Sequence, residues 1–284
     1  MNFSTFKFAL FAFTITGTIV ASLFGYKLLK DQSKQQVLSE NTQTSLASSS
    51  PLTGPSPTEE PLPTPSLLPQ PTKPGYSIAI IGDSMVDTMG ESLEYLQKSL
   101  TARYPKTTFK LYNFGIGGQN VAQGLARFDQ PFSYQTRNFP PLSQLKPDII
   151  IVASFAYNPF PPHDRNRHWL TLTELVNRAK TTGSSVYMLA EIAPLQSGFG
   201  KGPGGINWPE NLAHDQALHI IEQLQNAVNL SKSLGVPLID AFDKSKISGN
   251  YGESTYVNSN DGIHPSVEGH LFMADLIATT LKFR

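Results

Sequence analysis

The chain contains no cysteine. That excludes a disulfide framework, a thiolate metal site and a cysteine nucleophile, and leaves the compartment open. Charge is scarce as well: charged residues make up 15% of the 284, and 22 Lys+Arg balance 22 Asp+Glu. A net charge of zero argues against a nucleic-acid partner held by phosphate neutralisation, and against a disordered polyelectrolyte. No internal repeat is visible.

What is present divides the chain into three parts. Residues 8–26, FALFAFTITGTIVASLFGY, carry no charge. At about 1.5 Å per residue such a run roughly spans a hydrocarbon core of about 30 Å. No A-x-A site follows it, and Lys27 and Lys30 stand directly behind. Residues 1–30 are therefore expected to be an uncleaved, single-pass transmembrane anchor. A cleaved signal peptide, giving a secreted form, is the competing reading. The lysines behind the run would by themselves put the body in the cytoplasm. Residues 31–75 argue the other way. They are rich in Ser, Thr and Gln and then in proline, from Pro51 to Pro74, which neither helix nor sheet can run through. This part reads as a disordered, semi-extended linker of the kind that holds a domain off the outer face of a membrane, so the body is expected outside the cytoplasm. Residues 76–284 are long enough for one domain.

The body alternates strand-like and helical segments. SIAII (77–81), TFKLYNF (108–114), DIIIVASF (148–155), SSVYMLA (184–190) and VPLIDAF (236–242) read as strands. Residues 91–103, 170–180, 214–234 and 266–282 read as helices. Leu172, Leu175, Val176 and Ala179 form one inward stripe; Leu218, Ile221, Leu224 and Val228 form another. About five strands, buried on both faces and separated by helices, predict a parallel sheet in a three-layer α/β/α sandwich. Ligands in such folds sit beyond the carboxyl ends of the strands. Those places hold Gly82-Asp83-Ser84, the turn Asn113 to Gly118, and Ala156-Tyr157-Asn158; Asp261-Gly262-Ile263-His264-Pro265 precedes the last helix. A hydroxyl, a glycine turn, an amide and an Asp/His pair are the set that acyl transfer needs. Serine is a weak nucleophile until a base takes its proton, a carboxylate fixes the histidine tautomer, and the oxyanion needs preorganised donors.

In this order the four blocks resemble the SGNH, or GDSL, hydrolase superfamily, over essentially all of 76–284. The resemblance implies a flavodoxin-like fold and ester hydrolysis of the esterase/lipase type, with no metal and no organic cofactor. Position by position it implies Ser84 of IGDSM as nucleophile, His264 of DGIHP as general base and Asp261 as its orienting carboxylate. The implied oxyanion hole is the N–H of Ser84, the N–H of Gly118 and the side chain of Asn158. Two blocks depart from the family pattern. Met85 stands for the Leu of GDSL, and in the third block Ala156 and Pro159 replace a Gly and an Asp, which puts the local geometry there in question. The expected function is a membrane-tethered serine esterase acting on an O-acetyl or short acyl ester of a glycan or small molecule. A lysophospholipase/lipase-type hydrolase and an O-acyltransferase using the same triad are the alternatives. The oligomeric state is not legible.

Other readings are weaker. Gly115-x-Gly117-Gly118 lacks the third glycine and the acidic residue of a dinucleotide turn. Val86 breaks the G-x-S-x-G elbow. His163, Asp164 and His168 read as a polar loop over the site rather than a metal centre. The glycine-rich stretch 199–205, with Trp208, reads either as a lid or sugar-stacking wall, or as an ordinary surface loop. Asp83 is given no chemistry beyond capping a turn or tuning Ser84.

Overall fold

A computed structural model describes residues 71–283. The expected anchor and most of the expected linker lie outside the described residues. Among the described residues no helix is long and apolar enough to cross a membrane. In chain order the elements are β1 (Gly75–Gly82), α1 (Ser84–Asp87), α2 (Glu94–Arg103), β2 (Thr108–Gly115), α3 (Val121–Ala126), β3 (Phe132–Tyr134), β4 (Arg137–Phe139), α4 (Leu142–Leu145), β5 (Ile149–Ala153) and α5 (Arg165–Lys180). Then come β6 (Ser185–Ala190), α6 (Glu210–Leu234), β7 (Leu238–Asp240), α7 (Ala241–Lys244), β8 (Lys246–Ser248), β9 (Tyr251–Gly252), a 3₁₀ turn (Ser254–Tyr256) and α8 (Val267–Thr280).

The five predicted strands form one parallel sheet in the order β2-β1-β5-β6-β7. Ile78–Ile81, Ile149–Ala153 and Met188–Ala190 are fully buried, as expected where helices cover both faces. Helix α2 packs with α8; α5 packs with α3 and with α6. The register sets Gly82 of β1 beside Gly115 of β2, and Ile81 beside Val152 of β5. Residues 83, 116 and 154 therefore leave the sheet on one edge.

The chain enters at the opposite edge. Thr72 and Lys73 donate their N–H groups to the Tyr76 hydroxyl at 3.2 Å, and Lys73 Nζ pairs with Asp148 at 2.7 Å. Strand β1 begins at Gly75, inside the stretch read as linker.

Several expectations are corrected. The 170–180 helix begins at Arg165, and Asp164 is its N-cap, accepting from Arg167 N–H at 2.8 Å. His168 is not in a loop over the site: it is buried on α5, with Nε2 bonded to Ser154 O at 2.9 Å. The 214–234 helix starts at Glu210, and Leu218 is 42% exposed. Its buried stripe is Ala217, Ile220, Ile221, Leu224, Ala227 and Leu230. The alanines carry little hydrophobic weight in a sequence pattern, yet they let this helix approach the sheet closely. The last strand is short because Asp240 caps α7, accepting from Asp243 N–H. The β3–β4 hairpin was not anticipated, since three-residue strands leave no readable period.

Candidate active site

Strand β1 ends in Gly82, where a Cβ would lie 2.8 Å from that of Ala153 and still closer to Val86. Glycine there lets the chain turn at once into α1. Asp83 caps that turn, its Oδ1 accepting from Met85 N–H at 3.0 Å. Ser84 follows as the first residue of α1, and its own N–H has no hydrogen-bond partner among the described residues.

The second block is held by everything except Gly118. Gly115 N–H donates to Asn113 Oδ1 at 2.7 Å, and Ile116 N–H donates to Gly82 O at 3.2 Å. Gly117 N–H is directed at the Asp87 carboxylate, which Arg137 of the hairpin grips at 2.5 Å. Arg127 bridges Gly82 O, Phe114 O and the Gln119 side chain at 2.7–3.0 Å. Gly118 has a φ of +76°, a conformation that favours glycine, and its N–H is left free among the described residues.

The third block answers the question raised by Ala156 and Pro159. The left-handed residue there is Phe155, at φ +57°, one position before Ala156. Ala156 therefore suffers no conformational penalty, and its N–H donates to Ser154 Oγ at 3.1 Å. The Phe155 ring is accommodated by Gly124 of α3, where a Cβ would sit 2.4 Å from the ring. Asn158 reaches back to the first block: its amide Nδ2 donates to Asp83 Oδ2 at 3.0 Å. One amide hydrogen is thereby fixed on Asp83, leaving the other for a ligand.

The fourth block is a loop ahead of α8 that is hydrogen-bonded to itself. Asn258 O accepts from Asp261 and Gly262, and Asn258 N–H donates to His264 O. Gly262 is left-handed, and a Cβ on it would meet Gly198 O at 2.3 Å. Asp261 Oδ2 accepts from His264 Nδ1 at 2.9 Å, while Oδ1 accepts from the N–H groups of Ile263 and His264. Burial works against the Asp261 charge, but the His264 bond and charge and those two N–H groups hold its carboxyl below the usual carboxylate range. The glycine-rich stretch is a wall bonded to this loop: Gly200 N–H donates to Gly262 O, and Gly204 N–H donates to Asn260 O.

Ser84, Gly118, Asn158 and His264 line one cleft of about 690 Å³, together with Gly117, Asn120, Gln123, Tyr157, Pro159, Pro161, Phe199, Ile206, Trp208, Gln216 and Ile263. Asp261 stands behind His264, out of the cleft lining. No hydrogen bond joins Ser84 Oγ to His264; without substrate such bonds are often long and tighten only in the reacting complex. Among the described residues, no Asp, Glu, Lys or Arg lines the cleft. Among the described residues no group of three His, Asp or Glu side chains is placed to hold a metal ion. His163 instead bonds Glu222 at 2.8 Å and stacks on His219. The tie between Asp83 and Asn158, and the Asp87–Arg137 support of the glycine turn, were missed from sequence.

A family model described as GDSL-like lipase/acylhydrolase matches residues 78–277. No curated protein matches the chain. Among solved structures, the fold is similar to a GDSL-like lipase from Bacteroides thetaiotaomicron VPI-5482, at 18% identity and a TM-score of 0.52, covering 74% of this chain and 89% of that one. It is similar to the lipase/acylhydrolase from Enterococcus faecalis, at 15% and 0.54, covering 72% and 93%. A catalytic mutant of an acetylxylan esterase from Geobacillus stearothermophilus matches at 15% and 0.50, with coverage of 72% and 93%. At these identities the likeness is one of fold.

Proposed function

The chain belongs to the GDSL-like lipase/acylhydrolase family, and from that premise we propose that it hydrolyses a carboxylic ester through an acyl-enzyme on Ser84. The observation that carries this reading is the convergence of Ser84, Gly118, Asn158 and His264 on one cleft, with Asp261 bonded to the far nitrogen of His264. Asp261 holds the proton of His264 on Nδ1, which leaves Nε2 free to act as base. His264 takes the Ser84 proton as Oγ attacks the acyl carbon. The oxyanion is met by the free N–H groups of Ser84 and Gly118 and by the second amide hydrogen of Asn158. Protonated His264 then gives its proton to the leaving alcohol. Water repeats the sequence on the acyl-enzyme and releases the acid.

The cleft favours an uncharged substrate. Its polar lining beyond Ser84 and His264 is amide, from Asn120, Gln123, Gln216 and Asn158, and its walls are Trp208, Phe199, Tyr157 and Ile206. Amides with an aromatic wall suit an O-acetyl or short acyl ester of a neutral glycan. Among the described residues, no Lys or Arg in the cleft would meet the phosphate of a phospholipid headgroup or a nucleotide thioester. Tethering by residues 8–26, with the domain on the extracytoplasmic side, rests on the uncharged run and the proline-rich stretch behind it.

The test uses the full-length protein with p-nitrophenyl acetate, longer acyl chains and an acetylated neutral oligosaccharide. Hydrolysis that prefers short acyl groups, and that falls by about 10³-fold or more in Ser84→Ala and in His264→Ala, is the expected result. Full activity in Ser84→Ala overturns the reading. Acylated acceptor sugar in place of free acid makes the enzyme an acyltransferase.

A further inference from the structure

Two carboxyl groups lie buried behind the nucleophile, and the reaction above uses neither as acid or base. Asp83 is 0% exposed and Glu191, at the end of β6, is 1% exposed. Among the described residues no ion pair reaches either one. Strands β1 and β6 flank β5, and Asp83 and Glu191 leave them on the same edge of the sheet; two buried carboxyls that interact and have no ion pair do not both ionise at neutral pH.

Their hydrogen bonds indicate which one keeps a proton. Asp83 Oδ1 accepts from Met85 N–H and Oδ2 accepts from the Asn158 amide, both at 3.0 Å; these partners only donate. Glu191 Oε1 accepts from Ser154 N–H at 3.1 Å. Glu191 Oε2 faces Ser154 Oγ, a hydroxyl that can accept as well as donate. It is the one carboxyl oxygen of the four whose partner can receive a hydrogen bond.

We propose that Asp83 and Glu191 carry a single negative charge between them, held on Asp83 while Glu191 keeps its proton, and that Glu191 is in this way a positioning residue for Asn158. The proposal rests on the oxyanion role given to Asn158 above. Burial and the charge of Asp83 push the Glu191 carboxyl up to about 8. Burial also raises Asp83, against the lowering effect of Met85 N–H, the Asn158 amide and His264.

The other titratable groups facing the pair are neutral or more distant. Tyr157 is raised well above its ordinary value by burial, and His168, which bonds Ser154 O, is lowered to about 4 by burial. Arg127 at the end of α3 acts on Asp83 only through space. When Glu191 loses its proton to solvent, the buried pair carries two negative charges with no ion pair to offset them. Their repulsion pushes Asp83 out of its place against Asn158 Nδ2, and the oxyanion hole loses its fixed amide.

The experiment compares full-length wild type, Glu191→Gln, Glu191→Ala and Asp83→Asn. The expected wild-type kcat for p-nitrophenyl acetate falls on the alkaline side with a midpoint near 8, with KM little changed. Glu191→Ala lowers kcat at neutral pH, and Glu191→Gln, which keeps a donor toward Ser154 Oγ, restores it and abolishes the alkaline fall. Thermal unfolding gives a readout independent of turnover. A carboxyl raised in the folded state contributes most below its unfolded value of about 4.3. Wild-type melting should therefore fall relative to Glu191→Gln as the pH rises from there to about 8, and then level off. An infrared band of a protonated carboxyl, present in wild type at neutral pH and bleached in alkali, needs no variant to fold.

An unchanged alkaline limb and melting slope in Glu191→Gln, or an Asp83→Asn enzyme as active as wild type, overturns the shared charge while leaving a Ser84-dependent esterase intact. If no ester is hydrolysed at all, the melting slope and infrared band still decide whether the pair shares its charge.

Discussion

Replacing Asn158 by alanine separates oxyanion chemistry from scaffold. The side chain does two jobs at once: it offers one hydrogen to the cleft and fixes the other on Asp83 Oδ2 at 3.0 Å. Loss of one of three oxyanion donors is worth about 10²–10³ in kcat, or about 2.7–4 kcal/mol of transition-state stabilisation. Because that donor acts on charge that develops only during attack, KM should stay nearly constant. The second job sets a separate cost. Asp83 is wholly buried, and removing a hydrogen bond to a buried charge costs about 1.5–3 kcal/mol. At roughly 2–4 °C per kcal/mol for a domain of this size, melting should fall by about 3–12 °C. The assay is steady-state turnover of p-nitrophenyl acetate well below the lowered melting temperature, alongside thermal melts. A folded Asn158→Ala enzyme with less than a tenfold loss of kcat, or with the loss carried in KM, would refute the role given to Asn158.

Asp261→Asn should lower kcat by about 10⁴-fold with little change in fold, because the amide favours the wrong tautomer of His264; kcat of the purified variant checks this. Since the folded-state Asp261 carboxyl lies below its ordinary value, its contribution to stability is complete above about pH 4 and is lost as the pH falls through the lower folded value; acid titration of wild type against Asp261→Asn should show the difference. Trp208→Ala should raise KM for an acetylated glycan roughly 2- to 12-fold, the equivalent of about 0.5–1.5 kcal/mol of aromatic contact, with kcat for p-nitrophenyl acetate unaffected. Arg137→Ala leaves the Asp87 carboxylate without its cation, for a loss of about 3 kcal/mol or more in chemical denaturation; Arg137→Ala/Asp87→Ala together should recover part of it.

Of the five central strands, β1, β5 and β6 were legible because they are apolar on both faces, and the edge strands β2 and β7 because short β-rich runs stand out between helical segments. The four blocks were legible because they fall just after those strands, or just before the last helix. What could not be read is whatever depends on partners distant in sequence. Asp83 looked like a turn residue, and only the folded chain sets Asn158 against it. Nothing about Glu191 at the end of a strand announces a second buried carboxyl. Arg137 sits on a hairpin too short to show a period, yet it steadies Asp87 and through it the glycine turn. Leu218 of α6 reads as inward but is exposed, because the buried position beside it is Ala217, which carries little hydrophobic weight in a sequence pattern. Ala156 fits because Phe155 takes the left-handed position and Gly124 makes room for its ring, a pairing between two segments that have no pattern in common.

The clasp of Thr72 and Lys73 on Tyr76 and Asp148 fixes where the chain arrives: at the start of β1, with Ser84 just past the far end of that strand. An eight-residue strand is about 25 Å long. A bead, a fluorophore or a fusion partner joined directly to residue 71, in place of residues 1–70, is therefore attached on the side away from the cleft mouth. Immobilising residues 71–284 through that point should leave large, branched polysaccharides free to approach from the open side, which suits solid-phase deacylation.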